Sequence, residues 1–283
     1  TNDVSLLTFV PFTFVVLSRL GADVRCSLLI PVVCMQTIAA NLGSMLTPIG
    51  NPQNLYLYGK SGMSIGGFVL LMLPYTLVSL LLLLAWAALV CRKASAALSV
   101  DELVSSSASQ GDQRIILLYL VLFAVCLLSV IRVLPYGIAF AAVLVCALFA
   151  DPRTLRAVDY SLLLTFVAFF IFIGNLGRIP AFSGWLQEFL TGREVLVAVL
   201  ASQVTSNVPA ALLLSGFTAE TQALIIGTNL GGLGTLIASM ASLISYRQIA
   251  RELPQGKKQY FGLFTLSNLI FLALLLGVWF LLR

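Results

Sequence analysis

Two clusters of asparagine, glycine and threonine interrupt apolar runs. One is Asn41-Leu42-Gly43, continuing through Thr47 to Asn51 and Asn54; the other is Asn229-Leu230-Gly231, continuing to Thr235. Two further polar clusters, Thr1-Asn2-Asp3 and Thr205-Ser206-Asn207, each stand ahead of an apolar arm. The chain has no histidine, no paired carboxylates at membrane depth and no base beside a serine or cysteine, which argues against an enzyme and leaves no catalytic residue to name. The clusters offer neutral oxygens, amide donors and unwound backbone. That chemistry holds an ion or a small anion without transforming it. The alternative is that such residues make kinks or close helix contacts; four clusters in register weigh against it. The five cysteines, Cys26, Cys34, Cys91, Cys126 and Cys146, show neither metal-ligand spacing nor a disulfide framework and read as free, buried thiols.

The elements that carry these clusters are membrane helices. Apolar residues make up 60% of the chain and charged ones 10%, with mean hydropathy +1.04. A soluble domain is roughly half apolar and about a quarter charged. Phe68 to Val90 and Phe261 to Leu282 carry no charge, and each is long enough to cross a hydrocarbon core of about 30 Å. The lipid bilayer is therefore the first partner, and the net charge of +5 needs no nucleic acid to explain it. Val4 to Leu20 reads as an arm and Ser27 to Ala40 as a half-length helix stopping at Asn41. The chain recovers over Leu55 to Tyr58, Glu194 to Gln203 is too short to span, and Pro180 to Leu190 is amphipathic enough to lie at the interface.

The breaks repeat. Laying Asn41 on Asn229 matches Asn, Leu, Gly, Thr and Ile through Ile49 and Ile237, then Leu55 with Leu243 and Tyr58 with Tyr246. Non-helical backbone survives at membrane depth only where protein or a watery cavity covers it. The expected fold is an all-α integral membrane protein of inverted-topology repeats, each with a re-entrant hairpin and a discontinuous transmembrane helix. Residues 1–90 would end the first repeat, 91–114 form a linker and 115–283 form the second repeat. Ile115 to Ser206 precede the Asn207 cluster but only Thr1 precedes Asn2, so about three spans and a hairpin arm are expected ahead of Thr1.

Charge gives the expected sidedness. With hairpins re-entrant and broken helices crossing, one face collects Arg19, Arg25, Arg92, Lys93, Arg114, Arg153, Arg156, Arg247, Arg251, Lys257 and Lys258. The other has Lys60, Arg132, Arg178, Arg193 and Arg283. The positive-inside rule makes the first face cytoplasmic, with linker 91–114, and puts the C-terminus outside a multi-pass cell (plasma) membrane protein.

These motifs resemble the ion transporter superfamily, which includes citrate-transporter-like permeases, divalent anion–sodium symporters, arsenite permeases and some sodium–proton antiporters. Ala40-Asn41-Leu42-Gly43 with Gly50-Asn51-Pro52-Gln53-Asn54 looks like its first broken helix. Thr205-Ser206-Asn207-Val208-Pro209 looks like its second hairpin tip, and Gly227-Thr228-Asn229-Leu230-Gly231 its second broken helix. The tips read Thr1-Asn2-Asp3 and Ser206-Asn207-Val208 where dicarboxylate symporters carry Ser-Asn-Thr, and Asn51 stands where arsenite permeases usually have an acid. The resemblance implies a secondary active transporter of small anions such as citrate or dicarboxylates, driven by a sodium or proton gradient through alternating access. An arsenite or antimonite efflux permease, a sodium–proton antiporter and a passive channel remain alternatives. It further implies one half-site at Asn2, Asp3, Asn41, Gly43, Thr47, Asn51 and Asn54, and another at Ser206, Asn207, Asn229, Gly231 and Thr235. Sodium would be held near Asn2, Asn41, Asn207 and Asn229. No resident cofactor is expected beyond the coupling ion, and a homodimer is a candidate assembly. Asp3 is the one acid read near the midplane, either coupling the ion or capping a helix that starts at Val4.

Overall fold

The computed structural model describes residues 1–18, 22–94, 113–158 and 160–283; most of the linker 91–114, with the residues around Arg19, lies outside them. Among the described residues every regular element is a helix. In chain order these are α1 (Asn2–Ser18), α2 (Ala22–Ser44), α3 (Pro52–Ser61), α4 (Ile65–Ala94), α5 (Gln113–Val130), α6 (Tyr136–Ala150) and α7 (Pro152–Ala157). They continue as α8 (Tyr160–Leu176), α9 (Pro180–Leu190), α10 (Glu194–Thr205), α11 (Asn207–Leu214), α12 (Thr221–Leu230), α13 (Met240–Glu252) and α14 (Lys257–Leu282). Four segments, Ser27–Ser44, Ile65–Arg92, Gln113–Val130 and Pro254–Leu282, are long and apolar enough to cross a bilayer.

The chain divides into two compact units, one of Thr1–Leu98 with Ala168–Arg283, the other Ser99–Val167. In the first, the apolar core brings Leu6, Val10 and Phe14 of α1 against Ile30, Val33 and Cys34 of α2, with Ile249 of α13 and Tyr260 and Phe264 of α14. Many large apolar side chains point outward instead: Leu70, Leu77, Leu81 and Leu84 on α4, Leu266, Leu269 and Ile270 on α14. Surfaces this apolar are unsustainable in water and suit lipid. In the second unit Tyr119 of α5 and Thr154 of α7 both donate to Asp151 Oδ2, at 2.9 and 2.7 Å, and these bonds hold the Asp151 carboxyl below its ordinary range.

Several boundaries differ from the sequence expectation. α2 does not stop at Asn41 but runs to Ser44, whose Oγ donates to Asn41 O at 2.8 Å and closes the helix end. α1 begins at Asn2, so Asp3 lies inside the first turn and is not its cap; Asn2 Oδ1 accepts from Asp3 N at 2.9 Å. α3 starts at Pro52, three residues ahead of the expected recovery, because Asn51 caps it by accepting from Asn54 N at 2.9 Å and Pro suits the first helical position. The second break extends to Ser239 rather than ending at Gly234. Cys34, Cys91, Cys126 and Cys146 form no disulfide; Cys34 is buried, but Cys91 and Cys126 are exposed, against the reading of all five as buried, because they lie on outward faces of their helices. α9 spans the expected residues with Leu186 and Leu190 inward and stacked Trp185 and Phe189 outward.

Candidate functional site at the crossing of two interrupted helices

The first interrupted helix is α2, residues 45–51 and α3; the second is α12, residues 231–239 and α13. Their ends meet through side-chain amides and hydroxyls. Asn51 Nδ2 donates to Asn229 Oδ1 at 3.1 Å, and Asn229 Nδ2 donates to Asn54 Oδ1 at 2.6 Å. On the other side Ser239 Oγ donates to Asn41 Oδ1 at 3.0 Å, and Asn41 Nδ2 donates to Ser242 Oγ at 3.5 Å. Asn41, Asn51, Asn54, Asn229, Ser239 and Ser242 are all buried.

These contacts are reciprocal. In the register that lays Asn41 on Asn229, Asn51 falls on Ser239 and Asn54 on Ser242. The pair 51–229 therefore mirrors 239–41, and 54–229 mirrors 242–41. The polar tips ahead of α1 and α11 follow the same rule. Asn2 N donates to Gly50 O at 3.3 Å and Asn207 N to Ala238 O at 2.9 Å, with Gly50 and Ala238 matched in that register. Residue i touching j while the residue matched to j touches the residue matched to i is the contact pattern that two like segments make when they meet.

Each tip is held close. Asn2 Nδ2 reaches Asn41 Oδ1 at 3.3 Å. Ser206, joining α10 to α11, has φ +73 and ψ 153, and its Oγ approaches Asn207 Oδ1 and Ala238 O at 3.5 Å. A Cβ on Gly232 would stand 3.0 Å from Asn207 Nδ2, so the break passes directly over that amide.

Not every expected residue joins the crossing. Asp3 is half-buried and its Oδ1 is among the few described buried side-chain atoms without a hydrogen-bond partner. Gly43 is exposed, and a Cβ there would meet nothing, whereas a Cβ on its counterpart Gly231 would collide with Ser202 Oγ at 2.6 Å. Thr47 contributes its carbonyl, which accepts from Asn54 Nδ2 at 3.3 Å. Thr235 is exposed and donates from Oγ1 to Gln203 O at 3.2 Å. Three participants were absent from the sequence expectation: Ser239, Ser242 and Gln203. The first two could have been found by carrying Asn51 and Asn54 through the repeat register; Gln203 had no such signal.

The arrangement supplies neutral oxygens, amide donors and interrupted helix ends among buried side chains. That donor set suits a dehydrated monovalent cation and the carboxylates or oxyanions that travel with one. Among the described residues no group of three or more acidic, cysteine or histidine side chains could hold a metal ion.

Apolar spans around a buried polar crossing are those of a multi-pass membrane protein. The sequence profile of the citrate transporter family matches residues 1–225, and the chain belongs to that family. It is similar to an inner membrane protein of Escherichia coli (strain K12), YbiR, 36% identical over 255 residues, which cover 87% of this chain and 64% of that protein. It is also similar to an uncharacterized transporter of Methanocaldococcus jannaschii, MJ0456, 31% identical over 247 residues, covering 87% of this chain and 66% of that one. The chain thus spans about two thirds of the length of these relatives.

Proposed function

We propose that the chain is the greater part of a secondary active transporter of the plasma membrane. It carries small anions, citrate or dicarboxylates, together with sodium ions or protons, and performs no covalent chemistry. The reading takes α10 and α11 as one re-entrant hairpin and α1 as an arm of the other. The interrupted helices then belong to two inverted repeats with the binding site between them. One observation carries it: the reciprocal bonding of Asn41, Asn51, Asn54, Asn229, Ser239 and Ser242. Two like halves that meet through the same contacts can rock about a shared centre, giving the outward-open and inward-open states equivalent geometry. The family match and the inner membrane protein among the relatives support the same class and location.

Neutral amides alone compensate little of an anion's desolvation cost, so the coupling cation is expected beside the substrate. The test is uptake into proteoliposomes holding the full-length protein, with citrate, succinate, sulfate and arsenite, each with and without sodium or proton gradients. Saturable citrate or succinate uptake that collapses with the gradient supports the proposal. Gradient-independent, non-saturating flux would make the protein a channel, and arsenite movement alone would assign the efflux alternative.

A further inference from the structure

We infer that Gln203 is a positioning residue that sets the shape of the second break and joins it to α10 and α11 as one moving piece. Its side-chain Nε2 donates to Gly231 O at 3.0 Å and Leu233 O at 2.9 Å, and to Val199 O on its own helix at 3.2 Å. Its Oε1 accepts from Thr235 N at 2.9 Å, and its main-chain oxygen accepts from Thr235 Oγ1 at 3.2 Å. The partners fix which way the amide faces: three carbonyls require the nitrogen, and one N–H requires the oxygen.

The break is moulded around this side chain. Gly234 has φ +106, and a Cβ there would collide with Gln203 Oε1. Only glycine both accepts that backbone and leaves room for the amide. One residue earlier on α10, Ser202 fills the space beside Gly231. The consecutive pair Ser202–Gln203 therefore shapes the segment from Gly231 to Thr235. The same segment carries Gly232 across the Asn207 amide, so the clamp also sets the spacing between break and tip.

The first break has a clamp on the helix that follows it. Asn54, from the helix that follows that break, donates to Ser44 O, Met45 O and Thr47 O at 3.5, 3.3 and 3.3 Å. Asn54 thus clamps the first break from the helix that follows it, and Gln203 clamps the second from the arm that precedes its tip. If Gln203 lets go, Asn207 and Asn229 keep their chemistry but lose their relative placement, and unsatisfied carbonyls are left at membrane depth.

The functional half of this inference rests on the transport reading, and the experiment separates the two. Gln203→Leu and Gln203→Met, which keeps the length of the side chain but removes the donors, are made in the full-length protein. Hydrogen–deuterium exchange of residues 231–236 is followed alongside uptake of citrate, or of succinate where the wild type carries that instead, under the sodium or proton gradient that drives it. Exchange there is expected to rise about tenfold or more in both variants, with peptides from α2 to α4 unchanged. The KM for the transported anion is expected to rise roughly tenfold or more, with Vmax per folded molecule changed far less. Unchanged exchange would overturn the clamp. Faster exchange with an unchanged KM, or a fall in Vmax that only tracks the folded fraction, would overturn its positioning role. A wild-type protein that takes up neither citrate nor succinate under either gradient sinks the transport reading, while the exchange result still decides the clamp.

Discussion

At the scale of single residues, the amides at the crossing hold the two interrupted helices together, and the proposed function would give them a second role, facing whatever passes between them. Asn229 makes bonds to Asn51, Asn54 and Ile225 O, and Asn41 makes them to Asn2, Ser239 and Ser242. Asn41→Ala and Asn229→Ala each strand several buried partners, at a cost of about 1–3 kcal/mol in stability. Transport is expected to be lost while expression and monodispersity persist; unfolding of both, with normal transport in what folds, would make the amides packing residues only. Asp3 poses a different question. Its Oδ1 is buried without a hydrogen bond, which is costly for a carboxylate. Asp3 lies in the first turn of α1, where an acid complements the helix dipole, so a role in coupling has to be separated from a helix-end role. Asp3→Asn preserves size and is expected to remain folded yet lose activity or gradient dependence. Transport with unchanged ion dependence would hand coupling to the neutral oxygens.

At the scale of elements, the α10–α11 junction stores strain. Ser206 has φ and ψ in a region that glycine alone enters freely, at a cost of about 1–3 kcal/mol for any other residue. Replacing it with glycine relieves the backbone and removes the hydroxyl facing Asn207 and Ala238. Ser206→Gly is therefore expected to unfold at a temperature higher by a few degrees, about 2–4 °C, while transporting more slowly. A variant both less stable and fully active would show that the hydroxyl holds the turn and serves nothing else. This strain could not be read from the sequence, where Ser206 is one hydroxyl among several. The breaks themselves were legible, because glycine, proline and asparagine clustered inside an apolar run disfavour a continuous helix. Their ends were not: Ser44 and Asn51 set the helix limits through local side-chain bonds, in clusters that hold several residues able to cap. Gln203 was invisible for a different reason. A glutamine near the end of a short helix reads as a polar flank until the carbonyls of another segment are brought beside it.

At the scale of the whole molecule, the question is which way the paired halves face. Reciprocal contacts establish likeness between the halves without orienting them in a bilayer, and orientation falls to the basic residues. Eleven of the sixteen lysines and arginines gather on the face of the linker when α10 and α11 are taken as re-entrant and the interrupted helices as crossings. If instead α10 and α11 crossed in turn, every later element would keep its side, and only their junction at Ser206 would change faces. The linker and the α11–α12 loop are therefore the positions that report the sidedness of the two halves. Ala219, exposed between α11 and α12, is expected outside, and Ser106, in the linker beyond the described residues, inside. In intact cells carrying the full-length protein without its native cysteines, Ala219→Cys is expected to react with an impermeant thiol reagent. Ser106→Cys is expected to react only after the membrane is opened. Removal of the native thiols matters because Cys91 and Cys126 are exposed and would report their own surroundings. Labelling of Ser106→Cys in intact cells would reverse the sidedness, and labelling of both positions there would break the inverted arrangement on which equivalent outward and inward states depend.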